Sequence, residues 1–209
     1  MLDELQQANS YIVGKIKEHD AHILEMEAFA EEHNVPIVTK EVAKYLEFLV
    51  ESHGFKNILE IGTAIGYSGT IMGKIAKSNG GKLTTIEIDE TRYHQALENF
   101  KKANLENNVT AILGDGTEEI KKLDDKFDFI FIDASKGHYM EFFNDSFERL
   151  TENGIIFIDN IMFRGYLYKE YPKRFKTIVR RLDEFISYLY EKHNFVLLPF
   201  GDGIGLVKR

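Results

Sequence analysis

Hydrophobic residues fall in two rhythms along this chain. Between positions 2 and 53 they recur at helical spacing: Leu5, Ile12 and Ile16, then Ile23, Met26 and Ala30, then Val42, Leu46, Leu49 and Val50. That period predicts helices. Pro36 forbids a continuous helix, because it lacks a backbone donor and clashes with the preceding turn. A helix from about Lys40 to Ser52 is expected to stop at His53-Gly54. Beyond Gly54 the rhythm changes to short apolar runs separated by amphipathic stretches. The runs predict strands at 58–61, 83–88, 109–113, 127–132 and 155–158. Helices are expected near 68–76, 91–103, 117–122, 138–150 and 172–192. Uninterrupted apolar runs are what parallel strands buried on both faces require. Finally, Phe195–Phe200 and Ile204–Val207 flank Gly201-Asp202-Gly203, a hairpin signal. The succession predicts one α/β domain, residues 1–209, with a doubly wound sheet and a C-terminal antiparallel hairpin. Residues 1–53 form a helical cover and residues 54–209 the core.

The ends of the runs carry polar groups. Phe127–Ile132 leads into Asp133-Ala134-Ser135-Lys136, and Ile155–Ile158 into Asp159-Asn160. Leu83–Ile86 leads into Glu87, and the 109–113 run into Gly114-Asp115-Gly116. In open parallel sheets ligands bind outside the carboxyl ends of the strands. Asp133 and Asp159 should end adjacent strands, which lie roughly 4.8 Å apart. Either acid alone reads more readily as a cap or turn residue. Both together, with the Asn160 amide, suit a hard cation: Mg²⁺, with Mn²⁺ or Ca²⁺ able to substitute. Lys136 follows Asp133 by three residues. Beside a cation its ammonium is destabilised, which makes it a candidate general base rather than a plain surface lysine. Glu87 is placed to accept ribose hydroxyls, whereas Asp89 reads as the N-cap of the next helix. The first βα turn, Glu60-Ile61-Gly62-Thr63-Ala64-Ile65-Gly66-Tyr67-Ser68, is G-x-x-x-G. It is therefore neither a complete dinucleotide fingerprint nor a P-loop, which disfavours an NAD dehydrogenase. The seven histidines show no ligand spacing.

Composition narrows the setting. The chain has no Cys, so it has neither a disulfide framework nor a thiolate site. A cytoplasmic location is compatible with that. The polar, acidic start is unlike a signal peptide. No apolar run approaches a membrane span, so no membrane partner is expected. The net charge of −8 argues against nucleic acid. The distribution qualifies this: residues 164–181 carry +6, against −14 for the rest. Arg164, Lys173, Arg174, Arg180 and Arg181 are accordingly candidate RNA contacts, with a solvated helix face as the bland reading.

The Glu60–Ser68 turn resembles motif I of S-adenosylmethionine-dependent methyltransferases. Leu59–Ser68, Ile132–Lys136 and Ile158–Asn160 together resemble the cation-dependent O-methyltransferases, the family that includes catechol and caffeoyl-coenzyme A methyltransferases. Within it, Ala30–Ile37, Asp159–Gly165, the basic Lys173–Arg181 run and Gly201–Gly203 are similar to the bacterial tRNA 5-hydroxyuridine methyltransferases. The resemblance implies a Rossmann-like class I methyltransferase sheet and a homodimer. It implies S-adenosylmethionine near Val38, Glu60, Gly62, Thr63, Gly66, Ser68, Glu87, Asp115, Gly116 and Asp133. It also implies a metal on Asp133, Asp159 and Asn160, and methylation of 5-hydroxyuridine to 5-methoxyuridine in a tRNA anticodon loop. Two other readings stay open. One is a small catechol-like phenol as acceptor. The other is a non-catalytic RNA-binding module on the same fold, which would have no need of Asp133, Lys136, Asp159 and Asn160 together.

Overall fold

The computed structural model describes residues 2–134 and 136–209; the side chains of residues 2–6 and of Lys136 lie outside that description. Three helices open the chain: α1 (Leu2–Val13), α2 (Ala21–His33) and α3 (Lys40–His53). Strands and helices then alternate: β1 (Asn57–Ile61), α4 (Tyr67–Ser78), β2 (Lys82–Glu87), α5 (Glu90–Lys102), β3 (Val109–Leu113), α6 (Gly116–Glu119), β4 (Phe127–Ile132), α7 (Tyr139–Arg149) and β5 (Leu150–Ile158). Helix α8 (Lys176–Lys192) precedes the hairpin of β6 (Asn194–Leu198) and β7 (Ile204–Lys208). Among the described residues seven strands form one sheet, in the order β3-β2-β1-β4-β5-β7-β6. The first five are parallel, and β7 runs antiparallel to both β5 and β6.

The two sheet faces are written in the alternation of the strands. Ile58, Phe129, Phe131 and Phe157 face the layer made by α2, α3 and α4. Leu59, Ile61, Ile130, Ile132, Ile156 and Ile158 face α7 and α8. Burying both sides explains why these strands look continuously apolar in sequence. Helix α5 packs through Ala96 and Phe100 against Leu105 in a smaller cluster.

Several boundaries differ from expectation. β2 ends at Glu87, and Ile88 is 68% exposed, because the Glu87 carboxylate turns the chain by accepting the Ile88 and Asp89 amides. β5 starts at Leu150, which pairs with Phe127 across a register shift. α8 starts at Lys176 because Pro172 is extended and a 3₁₀ turn, Lys173–Phe175, intervenes. Among the described residues no helix is long and apolar enough to cross a membrane.

Candidate active site

The strand order reverses between β1 and β4, so the loops after them part at the sheet's carboxyl edge. A cleft of about 780 Å³ opens there, a size suited to a small ligand. Its floor depends on one glycine. Gly62 has φ +101°, and a Cβ there would overlap the Asp133 carbonyl oxygen. Main chains can approach this closely only where the side chain is absent. Beyond it Ala64 is left-handed, with φ +48°. The Ala64 amide donates to Glu87 Oε2 at 2.7 Å, while Glu87 Oε1 accepts from Ile88 and Asp89 at 3.0 and 2.9 Å. Glu87 thus ties the first βα turn to the tip of β2 and lines the cleft. Having filled three of about four acceptor directions, its carboxylate can take a further donor. Asp115 also lines the cleft, and it caps α6 by accepting the Thr117 amide and hydroxyl at 2.9 and 2.8 Å. The Thr117 backbone donor leads in holding its carboxyl below the usual range. Gly116 lies in the lining too; a Cβ there would come 2.9 Å from Ile61 and 3.0 Å from Phe142.

Other expected cofactor residues lie behind this wall. Glu60 has no exposed surface. Its Oε1 accepts from the Ser68 hydroxyl at 2.5 Å and its Oε2 from the Thr85 hydroxyl at 2.6 Å; Thr63 bonds in turn to Thr85. Burial pushes the Glu60 carboxyl up to about 8, against the opposing pull of the two hydroxyls and with help from the Asp133 and Glu87 charges. Glu60, Thr63, Gly66, Ser68 and the buried Val38 are absent from the cleft lining, which instead takes Pro36 and Ile37 from the segment before α3.

The acceptor side is built from β4, β5 and the hairpin. Ile132 and Ile158 are paired, so Asp133 and Asp159 follow at neighbouring strand tips. Asn160 Nδ2 donates to Asp133 Oδ1 at 3.3 Å, and both residues line the cleft. Asp159 is buried; its Oδ1 accepts the Asn160 amide at 2.7 Å, and its carbonyl accepts the Tyr139 hydroxyl at 2.7 Å. The Tyr139 hydroxyl is raised well above its ordinary pKa by burial first, then by the charges of Asp133, Asp159 and Asp202. It therefore stays protonated as a donor. Among the described residues no three carboxylate or imidazole groups gather closely enough to hold a metal unaided. Two carboxylates with an amide oxygen, which a half-turn of Asn160 presents, nevertheless fit a hard cation completed by water. The Lys136 side chain lies outside the described residues; its backbone opens the 3₁₀ turn Lys136–His138.

The basic residues divide. Arg164 is exposed and lines the cleft, while Lys173 and Arg174 are exposed on the turn before α8. Arg180 bonds to Glu184 at 2.8 Å, and Arg181 lines a second hollow of about 620 Å³ with Lys121 and Glu141. The cleft also takes Ile88, Arg92, His138, Phe142, Phe163 and Asp202, which the pattern of strand ends does not mark. Asp202 had a usable signal. A hairpin added antiparallel to β5 must put its tip at the carboxyl edge, since Gly205 pairs with Ile158.

A family model described as O-methyltransferase matches residues 16–209. The chain belongs to that family. This O-methyltransferase is 31% identical over 186 residues to a candidate caffeoyl-CoA O-methyltransferase of Arabidopsis thaliana, covering 85% of this chain and 78% of the relative. The O-methyltransferase of Bacillus cereus, solved in complex with SAH, matches over 100% of both chains with a TM-score of 0.83 and 26% identity. An SAH-bound methyltransferase of Podospora anserina covers 99% of this chain, and 95% of its own, with a TM-score of 0.88; at 23% identity it speaks to the fold alone. The sheet is that of the class I O-methyltransferases, Rossmann-like with antiparallel C-terminal strands.

Proposed function

We propose that this O-methyltransferase uses S-adenosylmethionine and a divalent cation, Mg²⁺ by preference, to methylate 5-hydroxyuridine in a tRNA anticodon loop. One observation carries the reading. The cleft that holds Glu87 and Asp115 also brings Asn160 within 3.3 Å of Asp133, and its rim continues into an exposed basic segment at Arg164. Glu87 and Asp115 would hold the ribose and adenine of the methyl donor, with Gly62 and Gly116 allowing close approach. The SAH complex of the Bacillus cereus relative supports a cofactor of this kind. Asp133, Asp159 and Asn160 would hold the cation. When bound there, it supplies Lewis-acid chemistry that lowers the pKa of a chelating hydroxyl. The chain then has to orient an acceptor with two vicinal oxygens, such as O5 and O4 of 5-hydroxyuridine, and accept one proton. Lys136 is the candidate acceptor of that proton by its place after β4. The rest is alignment of nucleophile and methyl group, which the rigid strand tips provide.

The RNA reading draws on Arg164, Lys173 and Arg174, with the exposed Tyr168 (65%) and Tyr171 (39%) among them. Cations track phosphates and aromatic faces stack on unpaired bases. A small catechol-like phenol is the second reading, favoured by the caffeoyl-CoA enzymes among the relatives. The deciding experiment offers labelled S-adenosylmethionine and Mg²⁺ with tRNA carrying 5-hydroxyuridine, beside catechol, and identifies products by nucleoside mass spectrometry. Label in 5-methoxyuridine is expected. Label in catechol alone sinks the RNA reading, and label in neither sinks both. The reading also carries a homodimer, which light scattering in solution would detect.

A further inference from the structure

The segment after β5 is held in an unusual backbone. Asn160, Phe163 and Arg164 have φ of +56°, +47° and +57°, and Gly165 follows at +74°. Left-handed conformations are uncommon in residues other than glycine. They persist where the surroundings over-determine them. Here the surroundings are the tip of the β6–β7 hairpin. The Ile161 amide donates to the Gly203 carbonyl at 3.1 Å, and the Met162 amide to the Asp202 carbonyl at 2.9 Å. The Arg164 amide donates to Asp202 Oδ2 at 2.6 Å. The tip lies flush on the loop, since a Cβ on Gly203 would overlap the Met162 side chain. Of these bonds only the third comes from a side chain, and its acceptor is charged, which makes it the strongest kind.

We infer that Asp202 is a positioning residue for the acceptor side of the cleft. By fixing the Arg164 amide, it locks the left-handed turn that sets Asn160 against Asp133 and Arg164 at the rim. The inference rests on the cation reading above and extends it to a residue that need not touch the ion. Asp202 acts on the loop carrying Asn160, while Glu87 and Asp115 belong to β2 and the start of α6. Its effect is therefore one-sided. Cation affinity and acceptor KM depend on Asp202, and cofactor affinity does not.

The test uses the full chain with Asp202→Ala and Asp202→Asn. The asparagine retains an oxygen that accepts the Arg164 amide, so it serves as the conservative rescue. Mn²⁺ binding is followed by electron paramagnetic resonance in the presence of SAH, and SAH binding by calorimetry. Asp202→Ala should weaken Mn²⁺ roughly 10–100-fold, the usual consequence of losing a group that orients a ligand. SAH affinity should be unchanged, which also certifies folding, and Asp202→Asn should recover most of the Mn²⁺ affinity. Equal Mn²⁺ affinity in wild type and Asp202→Ala overturns the inference alone. Parallel loss of SAH and Mn²⁺ binding in both variants overturns it too, by showing a general structural role. A wild-type chain that binds no Mn²⁺ removes the cation reading, and the inference with it.

Discussion

Burial of Glu60 makes folding pH-dependent, and Glu60→Gln should abolish that dependence. The carboxyl is fully buried and pushed up to about 8. In the unfolded chain it returns to its ordinary value near 4.5. Because the folded value is the higher one, the folded chain keeps a proton that the unfolded chain releases between these limits. Stability therefore falls as pH rises, by about 1.4 kcal/mol per pH unit. The penalty is absent below the unfolded value, grows through the window, and is complete above about 8. Over the whole window it amounts to roughly 5 kcal/mol, a large share of a domain's net stability. Glutamine imitates the protonated acid: its oxygen accepts from one of the Ser68 and Thr85 hydroxyls, and its amide donates to the other. Urea unfolding of both chains, at about pH 5 and about pH 9, measures the difference. The two should be nearly equal at the acid end, with the variant several kcal/mol more stable at the basic end. A gap that does not change with pH refutes the reasoning. Repeating the series with SAH tests whether the cofactor's ammonium group reaches Glu60, since a cation there lowers the carboxyl's pKa and flattens the wild-type decline.

Further predictions follow from the same geometry. Gly62→Ala places a methyl group on the Asp133 carbonyl at a left-handed φ. It should destabilise the fold by about 2–5 kcal/mol in denaturant titration. Lys136→Ala should lower kcat by about 10²–10⁴, the range for a general base, with SAH affinity intact in calorimetry. Reversing charge at Lys173 and Arg174 should raise KM for tRNA and shift the slope of log affinity against log salt by about one per lost phosphate contact. Turnover of catechol should be untouched; equal loss on both substrates would make the segment structural.

The strand tips were legible in the sequence because a run buried on both faces must end where it meets solvent. Asp133 and Asp159 each follow such a run directly and Glu87 ends one, whereas Asp115 lies one glycine beyond the half-exposed edge strand β3. What lies beside a tip was not legible, because it depends on where loops fold. Phe163 and Arg164 carry no sequence mark of a left-handed backbone, which is imposed by the hairpin packed on them. Ile88 looked like one more strand residue, yet the Glu87 carboxylate pulls the chain out of the sheet there. Glu60 stands next to the glycine turn in sequence, but strand alternation sends its side chain under α4, where Gly69 and Ser68 meet it. Arg180 and Arg181 on α8 fall away from the cleft for the same geometric reason: Arg180 pairs with Glu184, which lines the second hollow beside Arg181.

The uneven charge of the chain then acquires a physical sense. Asp133, Asp202, Glu87 and Asp115 all line the cleft, and the buried Asp159 ends the strand beside Asp133. Such an interior repels phosphate. An RNA acceptor could enter it only with a base unstacked and its backbone kept outside, where Arg164, Lys173 and Arg174 are exposed. On the proposed reading the same acidic interior would attract a divalent ion, which would offset part of the repulsion felt by an incoming hydroxyl. On the proposed reading the −14 and +6 portions are complementary. The acids would then hold the cation and the methyl donor's nucleoside, and the basic rim would keep the polyanion at the distance from which one base can reach them. A catechol, which carries no backbone, would make no use of that separation.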